Sequence, residues 1–310
     1  MRTWLLRLVN CVLLAAAIGY LGFIIRDIDF DRLLSHLRPD NLAVAMVVAL
    51  AYGLAFHLLA FSWSRTLQHL AAKPVCLTSA MRLYAFSTIA KYLPGNIFHY
   101  AGRQIAVARL GYGQKAAAQA TALEIAGHFF AAGLLLLLLL PFASDGLQWL
   151  GELLRETLGF WPLLLVGAAA AAGLAGLFLA RHGYRLWPGL DRRTLALVAS
   201  LQVAFFALAT LLGVWLAMAV LGISAAAMPA IAFAYLLAWL VGFLTPGAPG
   251  GLGVREACLV ATLSAYGDPS AILAFAALTR VALLLGECLF ALSGFLLNPG
   301  RIRQREGVVL

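Results

Sequence analysis

The sequence predicts an all-α polytopic membrane protein of about six transmembrane helices plus two broken or re-entrant helical hairpins, arranged as an inverted repeat. Three observations lead there. Of the 310 residues, 63% are hydrophobic and 11% charged, and the mean hydropathy is +0.93. A soluble domain is about half apolar and about a quarter charged. The apolar residues lie in long continuous runs, not in the roughly ten-residue alternating segments of a transmembrane barrel. Two of those runs are interrupted by Pro-Gly clusters, which end helices.

The elements follow in chain order. Residues 4–25 form an apolar run behind Arg2 and Arg7. That layout resembles a signal peptide, but further spans follow, so it reads as an uncleaved first helix. The second span is 41–62. The run 81–110 is broken by Lys91-Tyr92-Leu93-Pro94-Gly95-Asn96. An arm over 81–93 rises only about 20 Å, too short for a bilayer core of about 30 Å. Spans at 116–140, 160–180 and 195–221 follow, with Leu134 to Leu140 read as lipid-facing filler. The run 226–266 is broken by Thr245-Pro246-Gly247-Ala248-Pro249-Gly250-Gly251, and its longer arms leave a full crossing open. The last span is 270–297. Together these make one membrane domain over 1–310, with halves of about 1–145 and 155–300 and a short tail, 301–310.

Charge sets the expected orientation. The formal net charge is +9, from 22 basic and 13 acidic residues. With both termini cytoplasmic, fourteen Lys/Arg fall inside and four outside, and eight acids fall outside. That is the positive-inside pattern of a multi-pass membrane protein. No basic domain is present to carry nucleic-acid binding. Cys11, Cys76, Cys258 and Cys288 are scattered and form no CxxC, which indicates neither a disulfide framework nor a zinc site.

The two breaks share their spacing. Pro94 stands nine residues before Arg103, and Pro246 nine before Arg255. Glu124 is 13 residues past Gly111, and Arg280 is 13 past Gly267. Each half then reads span, span, hairpin, span. Three crossings per half give the halves opposite orientations, the plan of transporters that bind substrate at discontinuous helices.

The candidate chemistry sits at and near the breaks. Irregular backbone at membrane depth survives only where protein buries it or a watery cavity meets it. Helix starts near Asn96 and near Gly251 present free N–H groups that suit an anion, with Asn96 a plausible N-cap. Intramembrane charges are costly and therefore candidates for function: Lys91, Arg103, Arg255 and Arg280, with Glu124, Glu256 and Glu287. Arginine matches phosphate with paired donors. The candidate headgroup-binding set is therefore Lys91, Pro94, Gly95, Asn96, Arg103, Pro246, Gly247, Gly250, Gly251, Arg255 and Arg280. Glu124, His128, Glu256 and Glu287 form the set for charge balance or proton coupling. Structural pairing, Arg103 with Glu124 and Arg280 with Glu287, stands beside that reading. Glu124 and His128 share a helix face, but without HExxH or an obvious third ligand no metal is expected. His99 lies just past the first break. His57 and Gln202 read as packing glue within spans. Tyr92, Phe98, Tyr100, Trp239 and Phe243 flank the breaks, and core packing is their default role. No nucleotide-binding or hydrolase signature occurs, and no cofactor is expected.

At the breaks the sequence resembles a known family. Lys91 to Arg103 is similar to a KYLPGN…GR signature, and Pro246 to Ala257 to a PGGLGxREA signature. Both belong to the transmembrane region of bacterial lysylphosphatidylglycerol synthases, a flippase-like family. In its best-known members, the multiple peptide resistance factors, the membrane part is assigned to flipping aminoacylated phosphatidylglycerol. A separate soluble domain synthesises that lipid from aminoacyl-tRNA. This chain reaches Leu310 directly after its last span, so the resemblance does not carry lysyltransferase activity to it.

The expectation is flippase-like translocation of an anionic headgroup, phosphatidylglycerol-like or polyprenyl-phosphate-like, driven by a gradient or by downhill exchange. The chain is expected to be no enzyme. A lipid-modifying enzyme using Glu124, His128 and the arginines is the alternative, as is a non-transporting scaffold. The expected partners are membrane lipids and no nucleic acid, with a homo-oligomer or a lipid-synthesis enzyme left open.

Overall fold

A computed structural model describes residues 35–71, 73–89, 98–142, 190–245, 249–251 and 253–296. Among them are eight α-helices: α1 Pro39–Leu70, α2 Leu77–Thr88, α3 Phe98–Arg109, α4 Gln114–Leu139, α5 Arg192–Leu221, α6 Met228–Leu244, α7 Val254–Leu263 and α8 Pro269–Leu296. Five are long and apolar enough to cross a membrane: α1, α4, α5, α6 and α8, with short 3-10 turns extending α4 to Phe142 and α6 back to Ala225. The protein is thus a multi-pass helical membrane protein. The expected spans at 41–62, 116–140, 195–221 and 270–297 are α1, α4, α5 and α8. Those at 4–25 and 160–180 lie outside the described residues.

Local sequence explains the helix ends. Pro39 and Pro269 occupy first helical positions, where a missing N–H costs nothing. The Asp268 carboxylate accepts from the N–H groups of Ser270 and Ala271 at 3.0 and 3.1 Å. Asp191 caps α5, accepting from the Thr194 N–H at 3.0 Å. Hydrogen bonds from the Thr194 side chain and backbone hold this exposed carboxyl below its usual value. At its other end α5 closes on Gly222, whose φ of 64° suits glycine.

The two broken runs fold as paired helices of different proportions. The first gives α2 and α3, each 12 residues and about 18 Å long. In the second, only the first arm reaches spanning length. The stretch Ala225–Leu244 has 20 residues, whereas α7 has 10 and rises about 15 Å. The reason is at the break: Gly250, Gly251 and Gly253 all hold positive φ, so α7 starts late.

The core forms where α1 packs against α8 and α5. Two glycines let α1 and α8 touch. A Cβ on Gly53 would stand 2.6 Å from the Gly286 carbonyl oxygen, and one on Gly286 2.6 Å from that of Ala49. Small residues at such crossings supply close van der Waals packing where lipid offers no hydrophobic drive. The His57 ring bridges the same pair of helices, 3.1 Å from the Ser293 hydroxyl. By contrast, Leu137 and Leu138 of α4 are exposed, as lipid-facing residues would be, but the run 134–140 is not lipid-facing throughout: Leu136 is buried in the core and Leu135, Leu139 and Leu140 pack against it.

Candidate functional site

The short helices around the breaks bring charged residues into the middle of this bundle. Arg103, in the second turn of α3, is 2% exposed, and its guanidinium meets the Glu124 carboxylate of α4 at 2.7 Å. The Tyr84 hydroxyl of α2 donates to the other Glu124 oxygen at 2.6 Å. The Arg103 guanidinium also lies 4.2 Å from the Tyr84 ring centre, 5.2 Å from Tyr100 and 5.4 Å from Trp63. An ion pair buried this deeply is costly unless its other donors and acceptors are engaged; both Glu124 oxygens are, while the buried Arg103 Nε makes no hydrogen bond.

One turn beyond Glu124, His128 shares a 2.7 Å hydrogen bond with the Gln202 side chain of α5. Gly127 makes the room: a Cβ there would overlap the Gln202 amide. His128 also packs against Phe206, Trp239 and Phe243, the last two stacked with ring centres 5.1 Å apart.

Arg255, the second residue of α7, lines the same space. Its stem lies in a slot between two glycines. A Cβ on Gly242 would come 2.5 Å from Arg255 Cγ, and one on Gly251 2.8 Å from its Nε. The guanidinium sits 5.9 Å over the Trp239 ring. Among the described residues it has no carboxylate partner, and its buried Nε makes no hydrogen bond.

These groups face one cavity of about 80 Å³, lined by Arg103, Glu124, His128, Gly250 and Arg255 together with Tyr52, Tyr84, Thr88, His99, Tyr100, Trp239 and Phe243, among others. Among the described residues, two guanidiniums and one carboxylate give its wall a single positive charge. A smaller hollow of about 30 Å³ shares Trp239 and Arg255 and is lined beyond them by Tyr235, Glu256, Thr279 and Arg280.

The remaining candidates hold the break. Glu256 turns back and accepts the Gly253 N–H at 2.7 Å, so a carboxylate of the chain itself occupies that end of α7. Arg280 of α8 donates to the Gly250 carbonyl at 2.9 Å and stands 3.9 Å from Glu256. Glu287, on the same helix, is 1% exposed. Lys91, Pro94, Gly95, Asn96, Pro246 and Gly247 lie outside the described residues. Among the described residues no three His, Cys, Asp or Glu side chains gather to hold a metal ion.

Sequence reasoning missed Tyr84 and Tyr52, and it took Gln202 for packing glue alone. Tyr84 carries only a weak signal, a phenol in an arm too short to span. Gln202 carries one more: an amide in the middle of an apolar helix needs a buried partner.

The fold and this cavity define a polytopic membrane protein with a cationic site built at broken helices. The chain belongs to the family described as the lysylphosphatidylglycerol synthase TM region, whose model matches residues 8–289. No curated protein matches the chain. The family ties it to lipid metabolism or transport at a membrane.

Proposed function

We propose that this protein translocates an anionic lipid headgroup across the bacterial inner membrane, with both termini cytoplasmic and the acyl chains left in the bilayer. The observation that carries this reading is Arg255. A guanidinium without a carboxylate partner among the described residues borders a cavity whose other guanidinium, Arg103, is paired with Glu124. Arg255 is half-buried with its Nε buried, and a cation so placed at membrane depth without a carboxylate is costly. An entering anion relieves that cost and is held by it. The aromatic wall of Tyr100, Trp239 and Phe243 suits the apolar part of a lipid near its headgroup.

The test is reconstitution into liposomes, following loss of leaflet asymmetry of labelled anionic and zwitterionic lipids. The expected result is headgroup-selective movement that slows about tenfold or more in Arg255→Ala, as when one partner of a desolvated charge pair is removed. Arg255→Ala moving anionic lipid at the wild-type rate overturns the role given to it. Chemical conversion of the lipid without movement favours the enzyme reading.

A further inference from the structure

We infer that His128 carries a proton across together with the headgroup, and that Gln202 positions its ring for this. The inference rests on the translocation reading above and supplies what drives it. The geometry tells the two ring nitrogens apart. Nδ1 lies 2.7 Å from the Gln202 side-chain oxygen, which accepts and cannot donate. Nδ1 therefore holds a hydrogen, and in the neutral ring Nε2 keeps the lone pair. His128 lines the cavity, so Nε2 is the nitrogen left to meet what enters. Gln202 is only 1% exposed, which fixes the ring from behind. A proton gained at Nε2 gives an imidazolium without breaking this hydrogen bond, since Nδ1 donates to Gln202 in both forms.

Among the described residues, the other charged and titratable groups of the wall are less suited to this. Glu124, one turn away on α4, accepts from both Arg103 and Tyr84, and a proton on it would displace one of them. Arg103 of α3 and Arg255 of α7 stay charged near pH 7, and Tyr52, Tyr84 and Tyr100 stay neutral. Gln202 and Phe206 of α5 and Trp239 and Phe243 of α6 bring no charge to the ring. His99 is the other imidazole of the wall, stacked on Tyr100 with ring centres 3.7 Å apart, and no such amide holds its tautomer in place. A charged His128 is opposed by burial and by the guanidiniums, and an anion in the cavity offsets both. His128 and Arg255 pack on the same Trp239, with the imidazole centre and the guanidinium 6.2 and 5.9 Å from its ring centre. Anion and proton then favour each other's binding by the same factor. The proton comes from water on one side and returns to water on the other, and no bond of the lipid changes.

Reconstitution under a pH gradient tests this. The probe is a trace of acyl-labelled short-chain phosphatidylglycerol in phosphatidylcholine vesicles, with potassium and valinomycin holding the membrane potential at zero. Albumin extraction reads the leaflet distribution, and protein-free vesicles give the baseline. Wild type is expected to gather the probe in the leaflet facing the alkaline side, toward about tenfold per pH unit for one proton per lipid. An even distribution, with movement above the baseline, overturns the coupling and leaves translocation standing. His128→Asn keeps a donor for Gln202 and carries no proton, so it is expected to show none of this accumulation. Folded His128→Asn that still accumulates the probe overturns the role of His128, and His99→Asn losing it instead would move the proton to His99. Gln202→Leu removes the acceptor that favours the imidazolium. The midpoint of its movement rate, scanned from about pH 5.5 to 8, is expected to fall by about one unit or more. An unmoved midpoint overturns the positioning by Gln202. Wild type moving the probe no faster than protein-free vesicles removes the translocation reading, and the proton coupling with it.

Discussion

At the scale of single residues, the Arg103–Glu124 pair is the most constrained contact in the molecule. Both side chains are at most 4% exposed, and Tyr84 depends on the same carboxylate. Removing one partner leaves a buried charge without compensation, whereas replacing both by apolar groups of similar volume removes the cost with the benefit. Glu124→Ala is therefore expected to destabilise the protein by about 3 kcal/mol or more. The double variant Arg103→Met/Glu124→Leu should recover most of that loss. Thermal unfolding of the three proteins in one detergent measures it, and a double variant no better than Glu124→Ala would show that the pair is net stabilising. The pairing itself was legible in the sequence, because two opposite charges in apolar runs need each other. Tyr84 was not, since nothing in a short helix tells which way a phenol points.

At the scale of elements, the break between α6 and α7 shapes the site through what its glycines leave out. Gly242 and Gly251 supply no Cβ, and the Arg255 stem fills the space. Gly242 has ordinary helical backbone, so alanine there changes occupancy and not conformation. A Cβ 2.5 Å from Arg255 Cγ must push the side chain aside. Gly242→Ala is expected to resemble Arg255→Ala in lipid movement, about tenfold slower, while the charge is intact. Its unfolding should shift by only about 1–3 kcal/mol, the usual cost of overpacking. Wild-type movement in folded Gly242→Ala would mean that the slot does not position Arg255. The break was legible as a cluster of Pro and Gly, and the long spans as apolar runs between charges. The unequal arms were not. Composition alone does not say that Gly250, Gly251 and Gly253 would all take positive φ and shorten α7 to 10 residues.

At the scale of the whole molecule, the cavity is built from parts of the chain far apart in sequence. Glu124 and Arg255 line it together, as do Tyr52 and Trp239. Periodicity and charge name such residues one at a time, but only packing decides which of them meet. That packing also says what must move. Aromatic contacts close the space between α4 and α6: Phe129 and Phe243 have ring centres 5.4 Å apart, and His128 and Trp239 6.2 Å. A headgroup that meets Arg255 in this cavity lies against Glu124 and His128 of α4 and Trp239 and Phe243 of α6. Passing it across requires these helices to part, as the repeats of transporters rock against each other around a fixed site. Tying α4 to α6 should then stop translocation and leave binding in place. The variant for this carries Phe129→Cys and Phe243→Cys on a background with the four native cysteines replaced by serine or alanine. A short bis-thiosulfonate reagent cross-links it, and a reducing agent releases it. Lipid movement in liposomes is expected to fall to the protein-free rate on cross-linking and to return on reduction, while the uncross-linked variant transports. Undiminished movement in the cross-linked protein would send the headgroup along another face of the bundle, and Arg255 would then be a binding residue with no part in the passage.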